Sequence, residues 1–256
     1  MKVLVDKHGP VTTVVINRPE VRNAVDPETA AALRAAFLAF DADDGAAVAV
    51  LAGTGGYFCA GYDLKFLAAH GLPDSYDPEG EPALGITRTL LSKPVIAAVD
   101  GHAVAGGLEL ALWCDLRVME EDATFGVFSR RWGVPLIDGG TIRLPRLIGM
   151  SHALDMILTG RAVGAGESLA WGLANRVVPN GQARADAERL ALEIARFPQI
   201  CLRADRMSCH RQWGFGLEEA LRDEGRRGGK PLQVEARRGA GRFAGGLGRG
   251  GSFERM

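Results

Sequence analysis

The residues best placed to do chemistry lie in one run, KPVIAAVDGHAVAGGLELALWCD, residues 93–115. It opens with Pro94 and the apolar series Val95, Ile96, Ala97, Ala98 and Val99, which Asp100-Gly101 closes, so it reads as a buried strand. Gly106-Gly107 then precede residues 108–114, which have helical composition. The first N–H groups of a helix lack intrahelical partners and carry the positive end of its dipole. With no side chain at either glycine, a ligand oxygen can approach those groups closely, which makes an oxyanion site. Glu109 follows in the first helical turn among Leu108, Leu110, Ala111 and Leu112. Its carboxylate either faces solvent as a dipole partner or faces a dry pocket as a general acid/base.

A second stretch, GGYFCAGYDLKFL at residues 55–67, also follows a strand-like run and carries glycines at its turn. Two such loops in one α/β layer can each present an N–H to the same carbonyl oxygen and so stabilise charge that develops there. With NRPEVRNAV near residue 20, FCAGYDL at 58–64, and GGTIRLPRLIG and ILTGR further on, the sequence resembles the enoyl-CoA hydratase/isomerase family, the crotonase fold. The motifs occur in the family's order from about residue 3 to residue 180.

That resemblance implies an α/β fold, a crotonase-like spiral of ββα turns in two perpendicular sheets with a C-terminal helical trimerisation region. Residues 1–195 would form the spiral core, and residues 196–256 a helical region with a basic, glycine-rich tail. It implies oxyanion donors at the backbone N–H groups of Tyr62 and Gly106. Coenzyme A would meet the loops bearing Arg22, Ala24, Ala60, Asp63, Leu64 and Lys65, with Arg22 and Lys65 reaching phosphates or remaining ordinary exposed charges. The family's hydratases use two glutamates; Glu109 matches the first, and Ser129 stands where the second is expected. A hydroxyl has no useful acid/base pKa near neutrality, so Ser129 cannot replace that carboxylate directly. The nearest compensating carboxylate is Asp138, which could pair with Glu109 or simply cap the helix after Gly139-Gly140. Arg130, Arg131 and Trp132 beside Ser129 suggest a subunit interface or a structural ion pair.

The alternation of strand and helix must position these groups. Strands are expected at residues 11–17, 46–51, 95–99 and 116–119, with an extended piece at 123–126. Asp26-Pro27-Glu28 reads as N-cap, first helical residue and dipole-matched acid of a helix whose Leu33, Phe37 and Phe40 form a core stripe. Residues 68–84 are rich in Pro, Gly and acids and read as a surface loop or flap, and 86–91 as the end of a helix. Further helices are expected near 142–148, 151–158, 165–171, 183–197, 199–214 and 217–225. From residue 222 on, nine Lys/Arg oppose four Asp/Glu among many glycines, which reads as a solvated tail or one that meets phosphates or another subunit.

At 256 residues, 47% hydrophobic and 24% charged, the chain suffices for one core. A formal charge of −1 gives no basic character to favour nucleic acid or an anionic membrane. No apolar run of bilayer length and no signal-like start are present, so a cytoplasmic protein without a membrane partner is expected. Four cysteines form no CxxC pair and five histidines give no ligand spacing with them, so no metal is expected. No cofactor is expected beyond the coenzyme A of the substrate.

The leading expectation is an enoyl-CoA hydratase, a homotrimer or dimer of trimers, that adds water to a trans-2-enoyl-CoA. Alternatives are an enoyl-CoA isomerase or another reaction of the same fold, a non-catalytic acyl-CoA binder, and an RNA-associated relative.

Overall fold

The computed structural model describes residues 1–71, 77–251 and 253. The chain starts with a hairpin of β1 (Val3–His8) and β2 (Val11–Ile16), closed by Gly9-Pro10 with Gly9 at φ 58° and His8 opposite Val11. Only the second strand was expected. β1 is a half-exposed edge strand whose alternation is diluted by Asp6, Lys7 and His8. Helix α1 (Pro27–Ala42) begins as its sequence indicates: Asp26 accepts from the Thr29 N–H at 2.8 Å, and Leu33, Phe37 and Phe40 are buried.

The spiral follows: β3 (Val48–Gly53), α2 (Leu64–His70), β4 (Val95–Val99), β5 (His102–Val104), α3 (Gly106–Trp113), β6 (Leu116–Glu120) and β7 (Thr124–Gly126). Then come α4 (Gly140–Thr159), β8 (Ala162–Gly164), α5 (Ala165–Ala170), β9 (Arg176–Val178) and α6 (Ala183–Ala195). One sheet has the order β1-β2-β3-β4-β6-β9, parallel beyond the first hairpin; a second has the order β5-β7-β8. This is the two-sheet arrangement the resemblance implies. The central strands are buried on both faces, as parallel strands covered by helices must be. One face packs with α1 and α3, the other with α6.

Three expectations need correction. Residues 86–91 are not helical: Gly85 at φ 83° follows Pro82 in a series of turns, and Thr87 and Thr89 add β-branched bulk. A Cβ at Gly85 would stand 2.0 Å from the Ala30 carbonyl oxygen, so this loop is pressed against α1. Asp138 is not the cap of α4; that residue is Gly139, at φ 99°, with no side-chain cap bond. The third concerns the C-terminus. After α7 (Gln199–Arg211), the chain is helical through α8 (Leu217–Pro231), a π-helical turn at Leu232–Ala236 and α9 (Arg237–Ala244), well past residue 225.

Two sets of contacts hold that glycine-rich helix. Arg222 pairs with Glu218 and Arg227 with Asp223 one turn apart, at 2.5 and 2.6 Å. Glu235 reaches back to accept from the Ile200 and Cys201 N–H groups at 3.1 and 2.8 Å, filling the open N-terminus of α7. Part of the expected flap and the last residues of the expected tail lie outside the described residues. The two helices expected on either side of Gly149 are present, run together but broken at that glycine (φ 79°, ψ 160°). Among the described residues, no helix is long and apolar enough to cross a membrane.

Candidate active site

The β4–β5 turn and the loop before α2 are bound together. Phe58 and Cys59 donate to Asp100 and His102 carbonyls at 2.8 and 2.9 Å, and Val104 donates back to Cys59 at 3.1 Å. The upstream loop therefore runs beside β5 as an extra strand. At its end, Val25 N–H bonds the Gly61 carbonyl and Asp63 N–H bonds the Val25 carbonyl, at 2.8 and 2.9 Å. Tyr62, between them, is left with its N–H unpaired among the described residues. Ala105 sits at φ 53°, ψ −121°, a costly backbone for a residue with a Cβ, and its N–H is tied to Gly126 at 2.9 Å. That geometry turns Gly106 into the cavity, where its N–H likewise lacks an acceptor among the described residues. The two loops touch: a Cβ on Gly61 would lie 2.7 Å from the Gly106 nitrogen.

Glu109 faces the interior. It is 2% exposed, and its Oε1 accepts from the N–H groups of Asp138 and Gly140 at 2.9 and 2.8 Å. Burial, and more weakly the neighbouring Asp138, push its pKa up to about 7 against the two N–H donors. Asp138, also 2% exposed, accepts at Oδ1 from Leu84 N–H at 3.2 Å and Thr87 Oγ at 2.5 Å. Burial holds its pKa above the ordinary aspartate value, with Thr87 pulling the other way. Each carboxyl thus has one oxygen fixed by two donors, while the other has no partner among the described residues. A Cβ at Gly140 would come within 3.0 Å of Glu109 Oε1, so the glycine is what lets the two groups meet.

Both carboxyls line a cavity of about 760 Å³ that also touches Ala60, Tyr62, Leu64 and Gly106. Apolar groups such as Leu84, Phe128, Val134 and Ile137 supply most of the remaining wall. Ser129 lines it too, buried, with a hydroxyl that finds no partner among the described residues. Trp132 stands 68% exposed at the margin. Arg130 and Arg131 do not line the cavity and form no ion pair among the described residues. Arg130 donates to the Ile157 carbonyl at 2.9 Å, and Arg131 lies 4.6 Å over the Phe128 ring.

The residues expected near coenzyme A divide. Ala60 and Leu64 border the cavity, and Arg22 and Lys65 are exposed, Arg22 resting 5.7 Å from the Tyr57 ring centre. Ala24 is buried and its carbonyl accepts from Arg18. The Asp63 carboxylate is already engaged: it caps α2 through Lys65 and Phe66 N–H, both at 3.1 Å, and pairs with Arg18 at 3.0 Å. Sequence reasoning missed Thr87, Arg143 and Asn23. Buried Asn23 ties its own loop to Thr54 and Tyr57 carbonyls at 2.9 and 2.6 Å, and its place in NRPEVRNAV was the available signal. Among the described residues, no three or more His, Cys, Asp or Glu side chains are grouped to hold a metal ion.

The family model for enoyl-CoA hydratase/isomerase matches residues 6–244. The chain belongs to that family. A carnitinyl-CoA dehydratase of Salmonella typhi is 38% identical over 201 residues, 77% of this chain and 76% of the relative. Among solved structures, an enoyl-CoA hydratase from Mycobacterium marinum superposes with a TM-score of 0.88 at 34% identity over 95% of each chain. One from Bacillus anthracis gives 0.87 at 30% identity over 95% of this chain and 96% of that one. The protein is thus a crotonase-fold member of an acyl-CoA-processing family.

Proposed function

We propose that the protein adds water reversibly across the Cα=Cβ bond of a trans-2-enoyl-CoA. The observation that carries this reading is the pair Glu109 and Asp138, each with one fixed oxygen and one without a partner among the described residues, beside the N–H groups of Tyr62 and Gly106, which likewise have no acceptor there. The thioester oxygen would receive both N–H groups, each lowering the barrier by about 3 kcal/mol because it is fixed and shielded from water. Glu109 would take a proton from water as the new C–O bond forms at Cβ, and the π electrons would pass to the thioester oxygen. As the enolate collapses, Asp138 would deliver its proton to Cα and become a carboxylate. Atoms and charge balance with water alone, so the reaction calls on no further cofactor.

The names of the relatives support the same bond change: a hydratase and a dehydratase run it in opposite directions. A second reading, movement of the double bond, is favoured by the contact between the carboxyl-bearing residues, since Asp138 N–H touches Glu109 Oε1. Adjacent carboxyls can carry a proton from one carbon to another without water. A homotrimer or a dimer of trimers is supported by the exposed apolar residues Trp213, Leu217, Leu221, Leu232 and Phe243 on the C-terminal helices.

Loss of the conjugated enoyl-thioester absorbance should be measured on a panel of trans-2-enoyl-CoAs of increasing chain length. The native protein should hydrate at least one, and Glu109→Gln and Asp138→Asn should each lower kcat by about 10²- to 10⁴-fold. If the native chain hydrates none of the panel, the hydratase reading is wrong; shifted double bonds in the products would establish the second reading. Light scattering on the purified protein decides the assembly.

A further inference from the structure

The carboxyl and backbone of Asp138 are held from behind by a threonine hydroxyl, a backbone N–H and an arginine. Thr87, wholly buried in the irregular loop before β4, donates its hydroxyl to Asp138 Oδ1 at 2.5 Å. The same loop supplies the Leu84 N–H to that oxygen. Arg143, from the first turn of α4, closes the ring: Nη1 donates to the Asp138 carbonyl at 2.9 Å and Nη2 to the Thr87 carbonyl at 2.5 Å. Side chain and backbone of Thr87 are thus both committed to Asp138 and its guanidinium clamp. The loop has little room to shift, because Gly85 is packed on the Ala30 carbonyl. A threonine hydroxyl donating to a carboxylate does two things: it selects one oxygen and favours the charged form.

We propose that Thr87 is a positioning residue for proton transfer, its hydroxyl holding Asp138 Oδ1 so that Oδ2 alone meets the substrate. The inference rests on the proposed role of Asp138. Glu109 from α3, Arg143 from α4 and Arg88 from the loop are the charged groups that act on Asp138. Because two carboxyls interact here, their protons leave in two steps that belong to the pair, and the working form carries one proton between them. Removing the Thr87 donor makes Asp138 bind a proton more readily, which displaces both steps in the same direction.

The experiment is the pH profile of kcat/KM for hydration in the native protein, Thr87→Val and Thr87→Ser, with melting temperatures measured at each pH. Thr87→Val should move the two limbs of the bell to higher pH by about one unit between them, the effect of one lost hydrogen bond to a carboxylate, and Thr87→Ser should return them. A Thr87→Val profile at the native position, merely lowered throughout, would show a structural role and overturn the proposal. So would failure of Thr87→Ser to restore it. If Thr87→Val does not fold, Thr87→Ala takes its place under the same two criteria. Exchange of the α-protons of butanoyl-CoA with deuterated water is followed in parallel. Exchange without hydration removes the hydratase reading alone and passes the pH test to exchange, while loss of both in the native protein overturns the two together.

Discussion

Gly61→Ala isolates the oxyanion site from every other feature of the cavity. The new Cβ would stand 2.7 Å from the Gly106 nitrogen, 3.1 Å from Ala105 Cβ and 3.2 Å from the Val104 carbonyl oxygen. The first of these is closer than real Cβ atoms come to any neighbour, so the two loops must part and the Tyr62 and Gly106 donors can no longer converge. Gly61 also lies at φ 96°, and a side chain there carries a backbone cost of about 1–2 kcal/mol wherever it stands. Gly56 offers the control. It has φ 79° in the same loop, but a Cβ there meets nothing within 4 Å. Gly56→Ala should therefore lose only that backbone cost and Gly61→Ala the same cost plus that of parting the loops, while only Gly61→Ala should lose kcat. Loss of one donor is worth about 10²- to 10³-fold, and KM should change much less because the charge on oxygen develops after binding. Steady-state hydration kinetics and thermal melts on the two variants read both quantities. If Gly61→Ala folds and keeps kcat within about threefold of the native value, or if Gly56→Ala loses as much, the two N–H groups do not act as argued.

The remaining predictions concern the carboxyls and the odd serine. Glu109 titrates near 7 in the folded protein against 4.5 as an unperturbed group, so the folded state binds the extra proton between those values and stability falls as pH rises through that window. The cost at pH 8 is about 3 kcal/mol, and Glu109→Gln should melt several degrees above the native protein there, with the gap closing below pH 5. A variant no more stable than the native chain at pH 8 would contradict the buried-carboxyl account. Ser129→Ala removes a buried hydroxyl that has no partner among the described residues. Its unfolding free energy by denaturant titration should match the native value or exceed it by about 1 kcal/mol, with kcat reduced by less than tenfold. A larger loss of kcat would give Ser129 a part in the chemistry that its hydroxyl cannot play as a proton carrier.

The sequence reveals what is carried by side-chain type and local spacing. The Asp26-Pro27 start of α1, its Leu33, Phe37 and Phe40 stripe, the strand at residues 95–99 and the glycines before α3 are all legible for that reason. The choice for Glu109 between solvent and dry pocket could not be made from sequence, because helix α3 is apolar on every side and has no face to read. The choice for Asp138 between pairing with Glu109 and capping stays open in the sequence for a related reason: Asp-Gly-Gly before a helix has the composition of a cap. The capping geometry instead belongs to Gly139, which can take φ 99°, and that frees the carboxylate to turn toward Thr87.

Thr87 itself gave no signal at all. It lies in a loop without periodicity, and its importance depends on Asp138, 51 positions further along the chain. The same separation explains why the pair of carboxyls is costly to maintain. Glu109 and Asp138 are brought together by two loops and two helix starts, Glu109 using backbone N–H groups that would otherwise go unpaired at the N-terminus of α4. Those N–H groups favour the charged carboxylate, whereas burial disfavours it, and the opposition leaves Glu109 poised near neutrality, where a group can both take and return a proton. A group fully satisfied by donors would be too weak a base, and one with none would stay protonated. The half-satisfied state, one oxygen fixed and one open, is what the glycine at position 140 makes possible, since any side chain there would push Glu109 off its donors.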